Sequence, residues 1–139
     1  MPRPRVLLAD DHAETAELLR ELLRSHFDVV ALVVDGRALV SAAARLTPDV
    51  IVADISMPDV DGIEASVLIR RADSEARIVL VTVHADAILV ERGLAAGALG
   101  YVLKDAAGDE LVLAVQAALG GERYVSRALR RDEFTPKPE

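Results

Sequence analysis

The sequence predicts an α/β domain in which helices cover both faces of an open parallel sheet. Five short apolar segments alternate along the chain with five longer segments of helical character. The apolar segments lack the alternation of polar and apolar residues that marks a strand with one face in water. Unbroken apolar strands that alternate with helices are typical of a parallel sheet buried on both faces.

The five predicted strands are short and rich in valine, leucine and isoleucine. Their sequences are VLLA at 6–9, VVALVV at 29–34, VIVA at 50–53, IVLV at 78–81 and YVL at 101–103. Each of them predicts a buried strand. Because five βα units are too few to close an eight-stranded barrel, we expect a flavodoxin-like doubly wound sheet with the strand order 2-1-3-4-5.

The segments between the strands carry helix signals. The first segment has leucines at helical spacing, preceded by a capping-box pattern of Asp11 and Glu14. These leucines are Leu18, Leu19, Leu22 and Leu23. Four alanine-rich segments follow, with the sequences GRALVSAAARL, GIEASVLIRRA, DAILVERGLAA and DELVLAVQAAL. Gly97 and the pair Gly120-Gly121 predict the ends of the last two helices.

The pattern predicts one domain over residues 1–121. After Gly121 the alternation of strands and helices stops. We expect residues 122–139 to form a linker or tail, with one short helical turn around Tyr124 to Leu129. The closing EFTPKPE contains two prolines and predicts no further element.

Composition excludes several classes of protein. The formal net charge of -7 argues against binding of nucleic acid through a general basic surface. Without cysteine there is neither a disulfide framework nor a thiolate zinc site, which agrees with a reducing cytoplasm. No apolar run approaches the roughly 18 residues of a membrane span, and MPRPR does not begin a signal peptide. We therefore expect a cytoplasmic protein that does not enter a membrane.

Polar side chains follow four of the predicted strands. Asp10 and Asp11 follow the first strand, Asp54 the third, Thr82 the fourth and Lys104 the fifth. The carboxyl ends of parallel strands meet at one edge of a sheet, where ligands bind in open α/β folds. We therefore expect these five side chains to lie together.

Three carboxylates in one place repel one another. Two unit charges 4 Å apart cost about 4 kcal/mol at an effective dielectric constant of about 20. A raised pKa on one acid or a bound divalent cation offsets this repulsion, and oxygen ligands completed by water suit Mg²⁺. Asp54 beside such an ion, with Lys104 and Thr82 for the phosphoryl oxygens, is the arrangement of an aspartyl-phosphate acceptor.

Each residue of this set also has an ordinary interpretation. Taken alone, the pair Asp10 and Asp11 is a helix cap, Lys104 a solvated lysine and Thr82 a turn residue. Their combination at the strand ends favours the functional interpretation, because four such positions of the required residue types rarely coincide by chance.

Other polar residues near these strand ends are predicted to be structural. Asp59 and Asp61 are turn formers, and Gly62 supplies a permissive backbone. The three histidines do not form a metal set, although His12 and His84 border the predicted site.

Four motifs resemble the receiver domain of two-component response regulators over residues 5–121. They are ADD at 9–11, DISMPDVDG at 54–62, VTVH at 81–84 and GYVLKD at 100–105. The segments DDH, GYVLKDA and GGERYVS are most similar to the subfamily whose receivers precede a LuxR/NarL-type helix-turn-helix DNA-binding domain.

The resemblance implies a metal-assisted phosphoacceptor. Asp54 would accept the phosphoryl group from a sensor histidine kinase and would also be a Mg²⁺ ligand. Asp11 would bind Mg²⁺ directly, Asp10 would bind it through water, and the backbone carbonyl of Ser56 would be the third protein ligand.

The resemblance also implies a switch and its output. Thr82 and Lys104 would hold the phosphoryl oxygens, and Tyr101 would turn inward when Thr82 moves toward the phosphate. The chain would form a homodimer and regulate transcription through a DNA-binding domain absent from it. Phosphoryl transfer would be self-directed, so the chain would not be a turnover enzyme.

Two positions depart from the family pattern. Asp105 follows the lysine, where many receivers have a proline in a cis bond, and Val83 follows the threonine, where very small residues are common. The larger Val83 predicts slow autophosphorylation and slow dephosphorylation.

Three alternative functions are weighed against this one. A degenerate receiver that acts only as a protein-interaction module is compatible with Val83. A Mg²⁺-dependent phosphohydrolase would carry Asp-x-Asp after the first strand, whereas Asp10 and Asp11 are adjacent. A flavodoxin-like cofactor carrier is disfavoured because these two carboxylates would repel a phosphate.

Overall fold

A computed structural model describes residues 2–134. Six strands and six helices alternate along this part of the chain. In order, the elements are β1 (Arg5–Ala9), α1 (Ala13–Arg24), β2 (Asp28–Val33), α2 (Gly36–Leu46), β3 (Val50–Asp54), α3 (Gly62–Ala72), β4 (Ile78–Thr82), α4 (Ala87–Ala95), β5 (Gly100–Leu103), a 3₁₀ turn (Lys104–Ala106), α5 (Ala107–Leu119), β6 (Tyr124–Val125) and α6 (Arg127–Phe134).

The strands form one parallel sheet in the order β2-β1-β3-β4-β5-β6. The first five positions confirm the predicted order 2-1-3-4-5 of a flavodoxin-like fold. Strand order reverses at β1, whose neighbours are β2 and β3. The carboxyl ends of β1 and β3 therefore border the topological switch point at which such folds bind ligands.

The core has two layers because successive strand residues point to opposite faces of the sheet. In β1, Leu7 packs in the layer beneath α2, α3 and α4, whereas Leu8 packs in the layer beneath α1 and α5. β3, β4 and β5 are buried along their whole length, as their unbroken apolar sequences predict.

β2 differs from the prediction that every strand is buried. It lies at the edge of the sheet and is only partly covered, and its Leu32 is exposed to solvent. Its apolar sequence reflects contacts with β1, α1 and α2, and sequence composition does not distinguish an edge position from a central one.

The predicted capping box before α1 is wrong. His12 occupies the N-cap position and makes no side-chain hydrogen bond that caps the helix. Of the four leucines in this helix, Leu19 and Leu23 are buried against the sheet, whereas Leu18 is exposed. Asp11 is thus left free of a capping role.

The folded unit continues past Gly121, where a linker or tail was expected. Tyr124 and Val125 add a sixth parallel strand beside Gly100 and Tyr101 of β5. A helix follows, and its Leu129 is buried in the core. The helical turn expected at 124–129 is therefore a strand followed by a helix, because an exposed edge of β5 was available for pairing. The division of the chain at residue 121 stays a prediction, and residues 135–139 of the expected tail lie outside the described residues.

Among residues 2–134, no helix combines the length and the apolar character that crossing a membrane requires.

Candidate functional site

Asp54 is the last residue of β3, and its side chain is buried. Its Oδ1 accepts a hydrogen bond of 3.1 Å from the backbone N–H of Ser56, and its Oδ2 accepts one of 2.9 Å from Lys104 Nζ. Burial raises the pKa of the Asp54 carboxyl, and the hydrogen bond from Lys104 offsets part of that effect. The end of β3 thus places the Asp54 carboxylate in a buried position, where Lys104 is its hydrogen-bonded cation.

Asp10 lies beside Asp54 at the end of β1 and is also buried. Its Oδ1 accepts a hydrogen bond of 2.8 Å from the backbone N–H of His12. Its Oδ2 lies 3.2 Å from Lys104 Nζ, an ion-pair distance, but among the described residues it has no partner in hydrogen-bond geometry. A buried carboxylate oxygen without a hydrogen bond is costly unless a cation or an ordered water completes the site.

Lys104 begins the 3₁₀ turn after β5 and reaches back across the strand ends. Its side chain is only 11% exposed, and its ammonium group lies between the carboxylates of Asp54 and Asp10. Burial alone would lower the pKa of Lys104, but the carboxylates of Asp54 and Asp10 together outweigh it and raise the pKa. The lysine is therefore a fixed cation and not the solvated surface residue of the ordinary interpretation.

Asp11 and His12 complete the cluster on its open side. His12 Nδ1 lies 3.0 Å from Asp11 Oδ1. One ligand atom from each of Asp10, Asp11, His12 and Asp54 lies within 4.8 Å of the others. The sequence predicted that the three carboxylates meet, and in the structure they lie together. It placed His12 only at the border, because nothing in the chain order shows that an N-cap side chain turns toward the strand ends.

The loop after Asp54 is held close to β3. The N–H of Gly62 donates a hydrogen bond of 2.9 Å to the carbonyl oxygen of Ile55. A Cβ atom at Gly62 would lie 2.4 Å from the carbonyl oxygen of Asp54, so only glycine permits this approach. Gly62 is thus required because there is no room for a side chain, and not for its backbone freedom.

The two aspartates of this loop shape its backbone. Asp61 caps α3 by accepting a hydrogen bond from the N–H of Glu64. Asp59 has a positive φ of 63°, in agreement with its predicted turn role.

Thr82 ends β4, between the strands that carry Asp54 and Lys104. Its side chain is buried, and its Oγ1 accepts a hydrogen bond of 3.1 Å from the backbone N–H of His84. In the sheet register Thr82 pairs with Leu103, the residue before Lys104. Val83 follows and is 68% exposed. The hydroxyl group is therefore at the strand end where the sequence predicted it.

Tyr101 is completely buried beneath α4. Its hydroxyl group donates a hydrogen bond of 3.4 Å to the carbonyl oxygen of His84, two residues beyond Thr82. A Cβ atom at Gly93 of α4 would lie 3.5 Å from the Tyr101 ring, so the helix backbone passes close to the aromatic face. Burial and the charge of Asp86 raise the pKa of Tyr101 to about 12. The predicted switch aromatic faces inward in this structure.

The donor set at the strand ends fits a hard divalent cation. Carboxylate oxygens of Asp10, Asp11 and Asp54 converge, and Lys104 neutralises only part of their charge. The buried Asp10 Oδ2, which Lys104 Nζ approaches to 3.2 Å without forming a hydrogen bond, can accept one from a water molecule bound to such an ion.

A model of the response regulator receiver domain matches residues 6–116. The chain belongs to this family. In two-component signalling, such a receiver domain is a signalling switch. The LuxR-family two-component response regulator from Aurantimonas sp. SI85-9A1 is 36% identical, with a TM-score of 0.88 over 93% of this chain and 94% of that structure. The resemblance inferred from the motifs is thereby confirmed.

Two further proteins are similar to this receiver domain: one is a longer regulatory protein, and the other is a chain in a complex that contains BeF₃ and Mg²⁺. The transcriptional regulatory protein MctR from Rhizobium johnstonii is 32% identical over 127 residues, which are 90% of this chain and 59% of that protein. The CheX–CheY–BeF₃–Mg²⁺ complex from Borrelia burgdorferi is 25% identical, with a TM-score of 0.79 over 84% of this chain and 89% of that chain. The receiver domain thus spans little more than half the length of MctR.

Proposed function

We propose that the Asp54 carboxylate accepts a phosphoryl group from a sensor histidine kinase and that the chain is a phosphorylation-dependent switch. One observation carries this proposal. A buried carboxylate at the end of β3 receives a 2.9 Å hydrogen bond from the Lys104 ammonium, with Thr82 on the strand between them. A nucleophile, a cation and a hydroxyl donor thus stand together, as aspartyl-phosphate chemistry requires.

The carboxylates of Asp10, Asp11 and Asp54 and the backbone carbonyl of Ser56 would hold a Mg²⁺ ion. A bound Mg²⁺ supplies positive charge to the phosphoryl oxygens and so favours attack by an anionic nucleophile. The CheX–CheY complex, which contains BeF₃ and Mg²⁺, supports this assignment by analogy. The donor set of this chain supports it as well, because oxygens of Asp10, Asp11 and Asp54 converge at the strand ends.

The chemistry at Asp54 is a single exchange of bonds. A carboxylate oxygen of Asp54 attacks phosphorus, a P–O bond forms, and the P–N bond to the phosphohistidine of the kinase breaks. The displaced imidazole keeps the electron pair of that bond. Lys104 then has a phosphoryl oxygen in place of the carboxylate as its partner, and the Thr82 hydroxyl group donates to a second one.

The response would pass through Thr82 to Tyr101. When Thr82 Oγ1 turns toward a phosphoryl oxygen, it gives up the N–H of His84. The carbonyl oxygen of His84 accepts a hydrogen bond from the Tyr101 hydroxyl group. A change in the bond between Thr82 and His84 would therefore alter the bond between His84 and Tyr101. A new local charge thereby biases the surface formed by α4, β5 and α5.

The output would be transcription, through a DNA-binding effector domain in a longer protein. MctR, which is named a transcriptional regulatory protein, supports this because the receiver domain matches little more than half of it. In this proposal the chain catalyses phosphoryl transfer only to and from its own Asp54 and does not turn over a separate substrate.

Homodimerisation is the remaining part of the proposal. One candidate surface comprises residues 87–94 and 109–118, where Ile88 and Leu113 are exposed, and the alternative surface is α1 with its exposed Leu18. Two charge reversals on one surface at a time should halve the mass measured by light scattering if that surface is the interface. An unchanged mass for both sets would contradict both surfaces.

Intact-protein mass spectrometry tests the phosphoacceptor directly. The chain is incubated with Mg²⁺ and a small acyl phosphate, beside an Asp54→Asn variant and an Asp59→Asn control. We expect one added phosphoryl group in the unaltered chain and in the control, and none in Asp54→Asn. A gain that survives Asp54→Asn would contradict the assignment. No gain in any chain, even with a kinase supplied, would favour the interaction-module function.

A further inference from the structure

The His12 ring lies closer to the carboxylate cluster than its exposed N-cap position suggests. Its Nδ1 lies 3.0 Å from Asp11 Oδ1, 3.5 Å from Asp10 Oδ1 and 3.7 Å from Asp54 Oδ2. The same nitrogen therefore approaches all three acids, although 62% of the side chain is open to solvent.

These separations are short enough for the four side chains to share one metal ion. With metal–ligand bonds of about 2.1 Å, adjacent ligands of an octahedral ion are about 3 Å apart and opposite ligands about 4 Å apart. All three distances from His12 Nδ1 fall within that interval. An imidazolium paired with the three acids would lie at the same distances, so the two roles must be separated by experiment.

The backbone holds His12 in this place. Its N–H donates a 2.8 Å hydrogen bond to Asp10 Oδ1, and its carbonyl oxygen accepts from the N–H of Ala16 in the first turn of α1. The other oxygen of Asp10 is buried and faces Lys104 Nζ at 3.2 Å, so the lysine lies on the far side of this carboxylate from His12.

Imidazole nitrogen is a ligand that changes which ion a site prefers. Mg²⁺ binds through oxygen, whereas first-row transition ions such as Ni²⁺ readily accept imidazole. We propose that the His12 imidazole is an additional ligand of the cation site formed by Asp10, Asp11 and Asp54, and that it raises the affinity of this site for divalent transition ions relative to Mg²⁺. This inference rests on the proposed function, because it needs a cation at these carboxylates.

A different role for His12 makes the opposite prediction. If the ring were a protonated counterion of the three carboxylates, it would repel every divalent cation. Its removal would then strengthen the binding of Mg²⁺ and of Ni²⁺ alike, and the ratio of the two dissociation constants would not change.

Isothermal titration calorimetry at pH 7.5 or so separates the two roles. Mg²⁺ and Ni²⁺ are titrated separately into the unaltered chain, into His12→Ala and into two histidine controls, His26→Ala and His84→Ala. We expect His12→Ala to weaken Ni²⁺ binding at least about tenfold while Mg²⁺ binding changes little, since even the loss of an outer-shell partner costs 10–100-fold in affinity at metal sites. The controls should leave both affinities unchanged.

Proton NMR supplies a second readout that does not depend on stability. Substoichiometric Ni²⁺, which is paramagnetic, should broaden the ring signals of His12 before those of His26 and His84. A ratio of affinities that is unchanged in His12→Ala, or broadening that spares His12, would overturn the inference while Mg²⁺ binding keeps the proposed function. Absence of Mg²⁺ binding to the unaltered chain would instead contradict the cation site itself, and the inference with it.

Discussion

The Lys104 ammonium group lies 2.9 Å from Asp54 Oδ2 and joins the carboxyl ends of β5 and β3. The same group is 3.2 Å from Asp10 Oδ2, so one cation faces two buried carboxylates. One positive charge therefore faces two negative charges, which leaves a net negative charge at the carboxyl ends of β1 and β3. A divalent cation and a phosphoryl group can change that balance, and the surrounding side chains respond.

Loss of the lysine should expose this imbalance. We expect Lys104→Met to lower the free energy of unfolding at pH 7 by about 3 kcal/mol, because a buried ion pair loses one partner. The unpaired Asp54 then has a pKa raised still further above that of the unfolded chain. Its protonation favours the folded state, so the loss should shrink as the pH falls toward 4. Urea unfolding of Lys104→Met and of the unaltered chain at pH 7 and at about pH 4, in metal-free buffer, measures this difference in unfolding free energy.

The double variant Lys104→Met with Asp54→Asn is the control. It removes both charges and should recover a large part of the lost stability. An equal loss at both pH values, unrelieved by Asp54→Asn, would show that packing of the lysine stem matters and that its charge does not.

Gly62→Ala should distort the loop that follows Asp54. Its Cβ atom would lie 2.4 Å from the carbonyl oxygen of Asp54, and backbone atoms must move to relieve the contact. We expect a loss of about 1–3 kcal/mol in unfolding free energy and slower phosphorylation of Asp54.

Gly108→Ala is the matched control for that substitution. Gly108 lies in the first turn of α5, and a Cβ atom there has no neighbour within 4 Å. Replacement of this helical glycine should stabilise the chain by up to about 1 kcal/mol. Equal unfolding curves for the two variants would contradict the steric argument.

Ser126→Ala should weaken the attachment of β6 and α6. The Ser126 hydroxyl oxygen accepts a hydrogen bond of 2.9 Å from the N–H of Leu103, and both groups are buried. Without it the Leu103 N–H is left unsatisfied, at a cost of about 1–3 kcal/mol. The residue next to it is Lys104, so hydrogen exchange of the β5 amides should increase as well.

The exposed Ser74 offers a comparison for this serine. Ser74→Ala should change the unfolding free energy by less than about 0.5 kcal/mol. Similar values for Ser74→Ala and Ser126→Ala would mean that water replaces the hydroxyl group without cost.

Alkaline titration should report the burial of Tyr101. The chain has two tyrosines and no tryptophan, so phenolate absorbance in Tyr124→Phe comes from Tyr101 alone. We expect its midpoint near the pKa of about 12. The unfolded chain releases this proton near pH 10, so the folded state holds more protons between these values. The free energy of unfolding is therefore unaffected by Tyr101 below about pH 10 and decreases as the pH rises toward 12.

The same variant in urea provides the reference, with an expected midpoint of about 10. A native midpoint equal to that of the urea-unfolded chain would contradict the burial of the Tyr101 ring.

Val83→Ala should speed both the gain and the loss of the phosphoryl group. Val83 follows Thr82 at the end of β4, the strand next to the one that ends in Asp54, so we expect a smaller side chain there to open the approach for water and for small donors. Intact-mass time courses with an acyl phosphate and after its removal measure the two rates. Because the side chain is exposed, stability should change by less than about 0.5 kcal/mol, and rates equal to those of the unaltered chain would contradict the prediction.

The sequence by itself determined the sheet, its strand order through β5, and the meeting of Asp10, Asp11, Asp54 and Lys104. Apolar strands that alternate with helices allow few topologies, and every parallel topology brings the carboxyl ends of its strands to one edge. Side chains that directly follow strands therefore have a predictable place, which made the family motifs recognisable as a site.

Only the tertiary structure decided the contacts that depend on packing between elements distant in the chain. β6 forms because β5 leaves an edge to be paired, and its two residues are too few to leave a pattern in the sequence. His12 turns toward the carboxylates through the geometry of a loop, and Gly62 is needed for the approach of α3 to Asp54. Spacing along a chain does not encode such distances, because they depend on how side chains from several elements fill the same space.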